Sequence, residues 1–327
     1  MKYRNFVLII LTLFFITSPG YGQDNNKSIT LKLGHALDIG HPVHQSLLEM
    51  KRILEEKSGG KLKLDIYPSE QLGSEKELVM QLQLGAIDIT KVSTSPLEGF
   101  IPIYSVFSLP YLFRDEDHYW KVLNGPIGKE LLLAGESKYL RGLCYYDAGS
   151  RSFYTKDKPV LSPDDLKGMK IRVMASNTAI QMMKELGASS VAISFGELYT
   201  SLQQGVVDGA ENNPPSFYSS SHYEVCKYYS LDEHTRIPDI ILISTKTWNR
   251  LSPEYQQYIQ EAADESSEYE KKLWKQVSDE DLKKVEEAGV KIYHPDKGPF
   301  REKVKQMYES YEGKPVGDIV KRIDAVK

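Results

Sequence analysis

Residues 29–92 run strand, helix, strand, helix, strand, and that order limits the fold more than any other feature of the chain. Ile29–Gly34 alternates apolar and polar side chains, the period of a strand. Residues 43–57 then place Ser46, Leu47, Met50, Ile53 and Leu54 on one helical stripe, which Gly59-Gly60 ends. Leu62–Tyr67 is a second strand. In 74–84, Ser74 with Glu77 three residues on has the spacing of a capping box, and Gly85 suits the position just past the helix end. Residues 87–92 supply the third strand. Such an order calls for right-handed crossovers and a parallel sheet. No Gly-x-Gly-x-x-Gly opens either helix, so a dinucleotide site is not indicated.

The same grammar restarts downstream. Ser162-Pro-Asp-Asp-Leu has an N-cap, a Pro at the first helical position and acids in the first turn. Residues 170–174 read as a strand, 175–186 as a helix stopped by Gly187, 188–193 as a strand and 195–204 as a helix stopped by Gly205. Two such units in 327 residues imply two lobes. From Pro253 a helical pattern runs to residue 288, with Ser252 as N-cap and Tyr255, Ile259, Ala262, Ser266, Tyr269, Leu273 and Val277 on one face. A helix of that length reaches roughly 50 Å, more than one lobe needs, so it crosses both lobes or projects from them. No low-complexity tract or Gly/Pro-rich linker separates the lobes, and ordered strands between them suit a hinge.

The chain opens with Lys2 and Arg4, an apolar run over 6–16, and Gly20 and Gly22 ahead of Gln23. That is the layout of an export leader with a small-residue cleavage site, and the run is shorter than the roughly 20 apolar residues of a spanning helix. No Cys follows the run to carry a lipid, so a soluble periplasmic protein is expected, cut after Gly22. A net charge of −4 with no basic stripe gives no reason to expect a nucleic-acid partner. Cys144 and Cys226 form no framework and read as buried thiols. No spacing of Cys, His or Asp suggests a metal, and no cofactor is expected.

Arg172 is the residue the pattern singles out. Ile171 and Val173 share one face of their strand and Arg172 takes the other. A parallel strand is covered on both faces, so an Arg fits mainly near its carboxyl end, where ligands bind in open α/β sheets. A guanidinium there matches a carboxylate with two parallel hydrogen bonds, or serves as a structural ion pair; the pattern allows either. Arg151, in Gly149-Ser-Arg-Ser near the passage between lobes, reads alone as a surface Arg. Asn212 and Asn213, after Asp208-Gly-Ala-Glu, read alone as turn residues. Glu75 and Glu211 could in principle be the paired carboxylates of a glycosidase, and nothing positions them as such.

Three segments together resemble the substrate-binding subunits of tripartite ATP-independent periplasmic (TRAP) transporters, the DctP family. They are Tyr67-Pro-Ser-Glu-Gln-Leu-Gly-Ser-Glu, Leu166-Lys-Gly-Met-Lys-Ile-Arg-Val and Leu202-Gln-Gln-Gly-Val-Val-Asp-Gly-Ala-Glu-Asn. Ser108-Leu-Pro-Tyr-Leu-Phe and Tyr223-Glu-Val-Cys-Lys-Tyr fit as well. The resemblance implies that Arg172 holds a solute carboxylate, that Asn212 orients that arginine or the ligand, and that Arg151 is a second cationic contact. It places Phe195 as an aromatic wall, with Glu75 and Ser93 on the opposite lobe. Two departures stand out: Ala210 and Asn213 replace a Gln and a Pro of the usual motif. The doubled Asn, with His35 after the first strand and His41 and His44 beyond it, resembles members that bind hexuronates such as glucuronate or galacturonate.

The architecture implied is α/β: a two-lobed periplasmic-binding-protein-like clamp with the long helix spanning both lobes. Residues 1–22 form the leader, 23–148 with 237–276 the first lobe, and 149–236 with 277–327 the second. The expected partners are a small carboxylate and the small and large membrane subunits of a TRAP transporter, and the protein is expected to be a monomer. A keto acid, a dicarboxylate or sialic acid remains an alternative solute, and a periplasmic glycoside hydrolase the alternative of another class.

Overall fold

The computed structural model describes residues 28–327. The leader and its cleavage site lie outside the described residues.

Eleven strands build two mixed sheets. The first lobe holds β1 (Ile29–Gly34), β2 (Leu62–Tyr67), β3 (Ile89–Ser93) and β4 (Leu140–Tyr146). The second holds β5 (Arg151–Thr155), β6 (Lys170–Val173), β7 (Ser189–Ala192), β8 (Gly209–Asn212) and β9 (Tyr228–Thr235). The chain then returns to the first sheet as β10 (Asp239–Ser244) and ends the second with β11 (Lys291–Tyr293). The sheet orders are β2-β1-β3-β10-β4 and β11-β9-β5-β8-β6-β7. β1, β2 and β3 run parallel, as do β6, β7 and β8, while β10 and β5 are antiparallel to both of their neighbours.

Periodicity locates these elements to within a few residues, and the shifts have local causes. β3 starts at Ile89 rather than 87 because the Asp88 carboxylate, not the backbone, takes the Lys32 N–H at 2.9 Å. Ser74 and Glu77 form the expected capping box, and Gly85 ends that helix at φ 77°. Residues 163–166 wind as a 3-10 turn. Cys144 lies in β4, Cys226 just past the helix His222–Val225, and both are buried free thiols.

The long helix is Pro253–Glu287, 35 residues, with the Ser252 hydroxyl accepting the Tyr255 N–H at 3.3 Å. Ile259, Ala262 and Ala263 join the first lobe's core with Val43, Leu47 and Met50, while Val285 joins the second lobe's core. Its buried face departs from the expected one beyond Ser266: Glu270 and Trp274 are buried, whereas Tyr269 is 43% exposed and Leu273 and Val277 are half-buried. The helix leaves one lobe for the other there, so the surface it packs against rotates around its axis.

The last helix, Pro315–Asp324, does not sit with the second lobe. It buries Val316, Ile319, Val320 and Ile323 against the turn Pro102–Ser108 and the helix Pro126–Leu133, and its Ile323 carbonyl meets the His118 ring at 3.0 Å. The second-lobe assignment of 277–327 therefore needs correction: the chain crosses once more near residue 310, because that apolar stripe matches the first lobe. The passage after β4 needs Gly149, at φ 55°; a Cβ there would lie 3.0 Å from Trp274 Nε1.

Candidate functional site

Both sets of parallel strands end at the same cleft, which encloses a cavity of about 190 Å³ lined from both lobes. Arg172, Arg151, Asn212, Asn213 and Phe195 line it from the second lobe, and Glu75 and Ser93 from the first.

Arg172 sits in β6, 3% exposed, with Nε donating to the Ile193 carbonyl at 2.8 Å. Its Nη1 is buried without a partner, and among the described residues no carboxylate pairs with it. Burial pulls this guanidinium down from its ordinary value. A buried cation held this way is costly until an anion reaches it.

Arg151 is different, and its reading as a surface residue is overturned. It opens β5 and is buried because the strand pairs on both edges. Glu211 grips its fork through both carboxylate oxygens, Nη2 lying 2.9 Å from Oε1, while Nη1 donates to Asn212 Oδ1 at 2.7 Å. Burial would lower its pKa, but Glu211 outweighs burial and raises it. Behind Glu211 stands His234, 3.6 Å away, whose Nδ1 meets Asp232 at 2.9 Å. Burial pushes Glu211 up, yet Arg151 and His234 prevail and hold it down at about 2. Burial pulls His234 down, yet Asp232 and Glu211 hold it up at about 9. A carboxyl so firmly ionised cannot act as the acid of a glycosidase.

Asn212 accepts from Arg151 and from the Asn213 N–H at 3.0 Å. Asn213 caps the helix Pro214–Ser219 by accepting the Ser216 N–H at 2.8 Å and donates to the Ala148 carbonyl at 2.9 Å, so it ties the wall to the inter-lobe passage. Phe195 stands edge-on to His222 at 5.5 Å and presents an apolar surface. Opposite, Glu75 begins the helix Glu75–Leu84 and accepts the Ser93 N–H at 2.9 Å.

His35 does not line the cavity. It is fully buried behind it, with Nε2 3.0 Å from His44 Nδ1, and burial, then Lys91, lowers its pKa to about 3. The imidazole at the wall is His41, which accepts the Val43 N–H on Nδ1 and meets Ser216 of the other lobe at 3.2 Å.

Lys91, Asp239, Glu70 and Trp274 are among the wall residues that carried no expectation. Lys91 is 3% exposed, ion-paired with Asp239 and 3.9 Å from Glu75. A Lys inside Ile89-Thr-Lys-Val is the same signal that marked Arg172. Burial raises the carboxyls of both Glu75 and Asp239. The site thus offers one open guanidinium at one end and an acid-rich, hydrogen-bonding wall at the other. That suits a solute with one carboxylate and several hydroxyls. Among the described residues, no group of His, Cys, Asp and Glu could hold a metal ion, and no helix is long and apolar enough to cross a membrane.

Residues 33–314 match the bacterial extracellular solute-binding proteins, family 7 (DctP). An uncharacterized protein of Salmonella typhimurium, YiiZ, is 44% identical over 87% of this chain and 88% of its own length. A TRAP periplasmic solute-binding protein of Bradyrhizobium sp. BTAi1, solved with galacturonate, is 40% identical with a TM-score of 0.88, covering 90% of this chain and 99% of that one. Another, from Roseobacter denitrificans with bound β-D-glucuronate, is 36% identical with a TM-score of 0.89, covering 91% and 100%. With an anion cleft between two α/β lobes and a match across nearly the whole described chain, this protein belongs to the DctP family of bacterial extracellular solute-binding proteins, a transport family rather than a family of enzymes.

Proposed function

We propose that the protein captures a hexuronate, glucuronate or galacturonate, for a TRAP transporter. The observation that carries this reading is the buried guanidinium of Arg172, free of any carboxylate among the described residues and facing Glu75, Lys91 and Asp239 across the cavity. The solute's carboxylate takes the Arg172 fork, Phe195 covers an apolar ring face, and ring hydroxyls meet the first-lobe wall. A dicarboxylate fits poorly, since its second charge would face Glu75 and Asp239. The uronates bound by the similar Bradyrhizobium and Roseobacter proteins support the choice. Contacts made to both lobes favour the closed state, and the closed form docks as a monomer on the transporter's two membrane subunits. The lobes correspond to 28–148 with 237–276 and 315–327, and to 149–236 with 277–314.

Calorimetric titration with D-galacturonate, D-glucuronate, succinate and sialic acid tests the solute. Micromolar or tighter binding of a uronate with weak succinate binding is expected, and the reverse order would sink the proposal. Export with cleavage after Gly22 is checked by intact mass of protein exported on its own leader, expected to begin at Gln23.

A further inference from the structure

Two helices of the second lobe, Asn177–Leu186 and Phe195–Gln203, follow β6 and β7 and begin at the cleft. Their first backbone N–H groups, and the positive ends of their dipoles, face the first lobe. In sheets of this kind such ends commonly receive an anionic ligand. Here each receives a carboxylate from the other lobe.

Glu98, behind β3, accepts the Thr178 N–H at 3.0 Å, beside Ser176, which takes the Ala179 N–H at 3.0 Å. Glu70, in the turn after β2, brings its carboxylate against Gly196 at the start of the other helix, where the backbone N–H groups of Gly196 and Phe195 partly offset the rise in its pKa that burial causes. A Cβ at 196 would come within 2.6 Å of Glu70 Oε2, so only glycine admits the carboxylate. Ser194 stands at the N-cap position of that helix without capping it, because its hydroxyl donates to Glu197 instead. The other lobe completes the first turn. Glu70 Oε1 and Glu98 Oε2 are both buried without partners, as expected of carboxylates placed for one contact. Ser69 and Glu70 hold φ at 53° and 55°, a conformation costly for residues with a side chain and maintained only where the surroundings impose it. Glu98 lies outside the cavity that holds Arg172, so it cannot act by touching the solute there.

We propose that Glu70 and Glu98 are closure-positioning residues: helix caps supplied across the cleft, which form only when the lobes meet. The protein provides its own anions to the two helix ends and leaves the solute's carboxylate to Arg172. This rests on the lobe closure described above and extends it. Removing the Glu98 cap, which lies away from the solute cavity, shifts the open–closed equilibrium without altering which solute fits, so it speeds release and spares selectivity.

Stopped-flow binding of D-galacturonate and of D-glucuronate to wild type, Glu98→Ala and Glu98→Gln tests the assignment, because Glu98 does not line the solute cavity. Glu98→Ala is expected to release both sugar acids roughly threefold to tenfold faster, the range of a lost helix cap. Association rates and the ratio of the two affinities stay unchanged. Glu98→Gln keeps an oxygen for the Thr178 N–H and recovers most of the loss. Unchanged release by folded Glu98→Ala would overturn the proposal, and so would an altered affinity ratio in that variant, which would mark a solute contact instead. A second measurement needs no solute: spin labels on Lys63→Cys and Lys184→Cys, exposed on opposite lobes, report the closed population, which falls in Glu98→Ala and in Glu70→Ala and would overturn the assignment if it stayed unchanged. If neither sugar acid binds wild type, the hexuronate reading fails, while the label distances still decide the caps.

Discussion

Glu270, at the midpoint of the 35-residue helix, accepts the backbone N–H of Asp147 at 2.8 Å, so one buried carboxyl ties that helix to the first passage between the lobes. Burial, reinforced by Asp147, raises its pKa well above the usual carboxylate range. Glu270→Gln keeps the acceptor and is expected to stay within about 1 kcal/mol of wild type in urea denaturation. Glu270→Ala leaves a buried N–H unpaired and is expected to cost about 1–3 kcal/mol.

Arg172→Lys keeps the charge but loses the planar fork. One charge-assisted hydrogen bond is worth about 1.5–3 kcal/mol, so uronate affinity should fall roughly tenfold to a hundredfold in calorimetric titration. Arg172→Met removes a buried cation that has no carboxylate partner among the described residues, so it should abolish binding and raise the melting temperature. A lower melting temperature would identify Arg172 as a structural ion pair instead.

Arg151→Lys should behave in the opposite way. Lysine cannot fill the grip of Glu211 and Asn212, and a strand buried on both edges gives it no room to readjust. Breaking a buried pair by removing one partner costs about 3–5 kcal/mol, so stability should fall first and affinity with it. Paired thermal and binding measurements separate this from a direct ligand contact.

The Glu211–His234 pair sets a pH dependence. His234 is held up at about 9 against an ordinary 6.5, so its contribution is full below pH 6.5 and is lost as pH rises through about 9. Glu211, held down at about 2 against 4.5, contributes fully above pH 4.5 and loses this as pH falls toward 2. Stability in urea should therefore drop between pH 6.5 and 9 by an amount on the order of 3 kcal/mol. His234→Gln should flatten that alkaline arm.

The sequence carries the elements because strand and helix periods are local. Ser74, Gly85 and Ser252 mark their helix ends as read. Arg172 was legible for a related reason: a charge inside an apolar strand must answer to something buried. Arg151 was not, because its partner Glu211 lies sixty residues on and joins it only when β5 pairs with β8. Lys91 needs Asp239 from β10 in the same way. His35 and His41 sit in one loop with the same side chain, and only the packing of that loop decides which ring reaches the cavity. The face of the long helix past Ser266 depends on where the second lobe stands, which no local period records.

β10 lies between β3 and β4 although it begins 93 residues after β4 ends and 146 after β3 ends. During synthesis, β3 and β4 therefore emerge long before the strand that joins them, and the first sheet cannot close until residue 244 is made. The first lobe therefore waits on the second, whose strands β5 to β9 are all made before β10. A truncation before β10 keeps those five strands but leaves the first sheet without the one that joins β3 to β4.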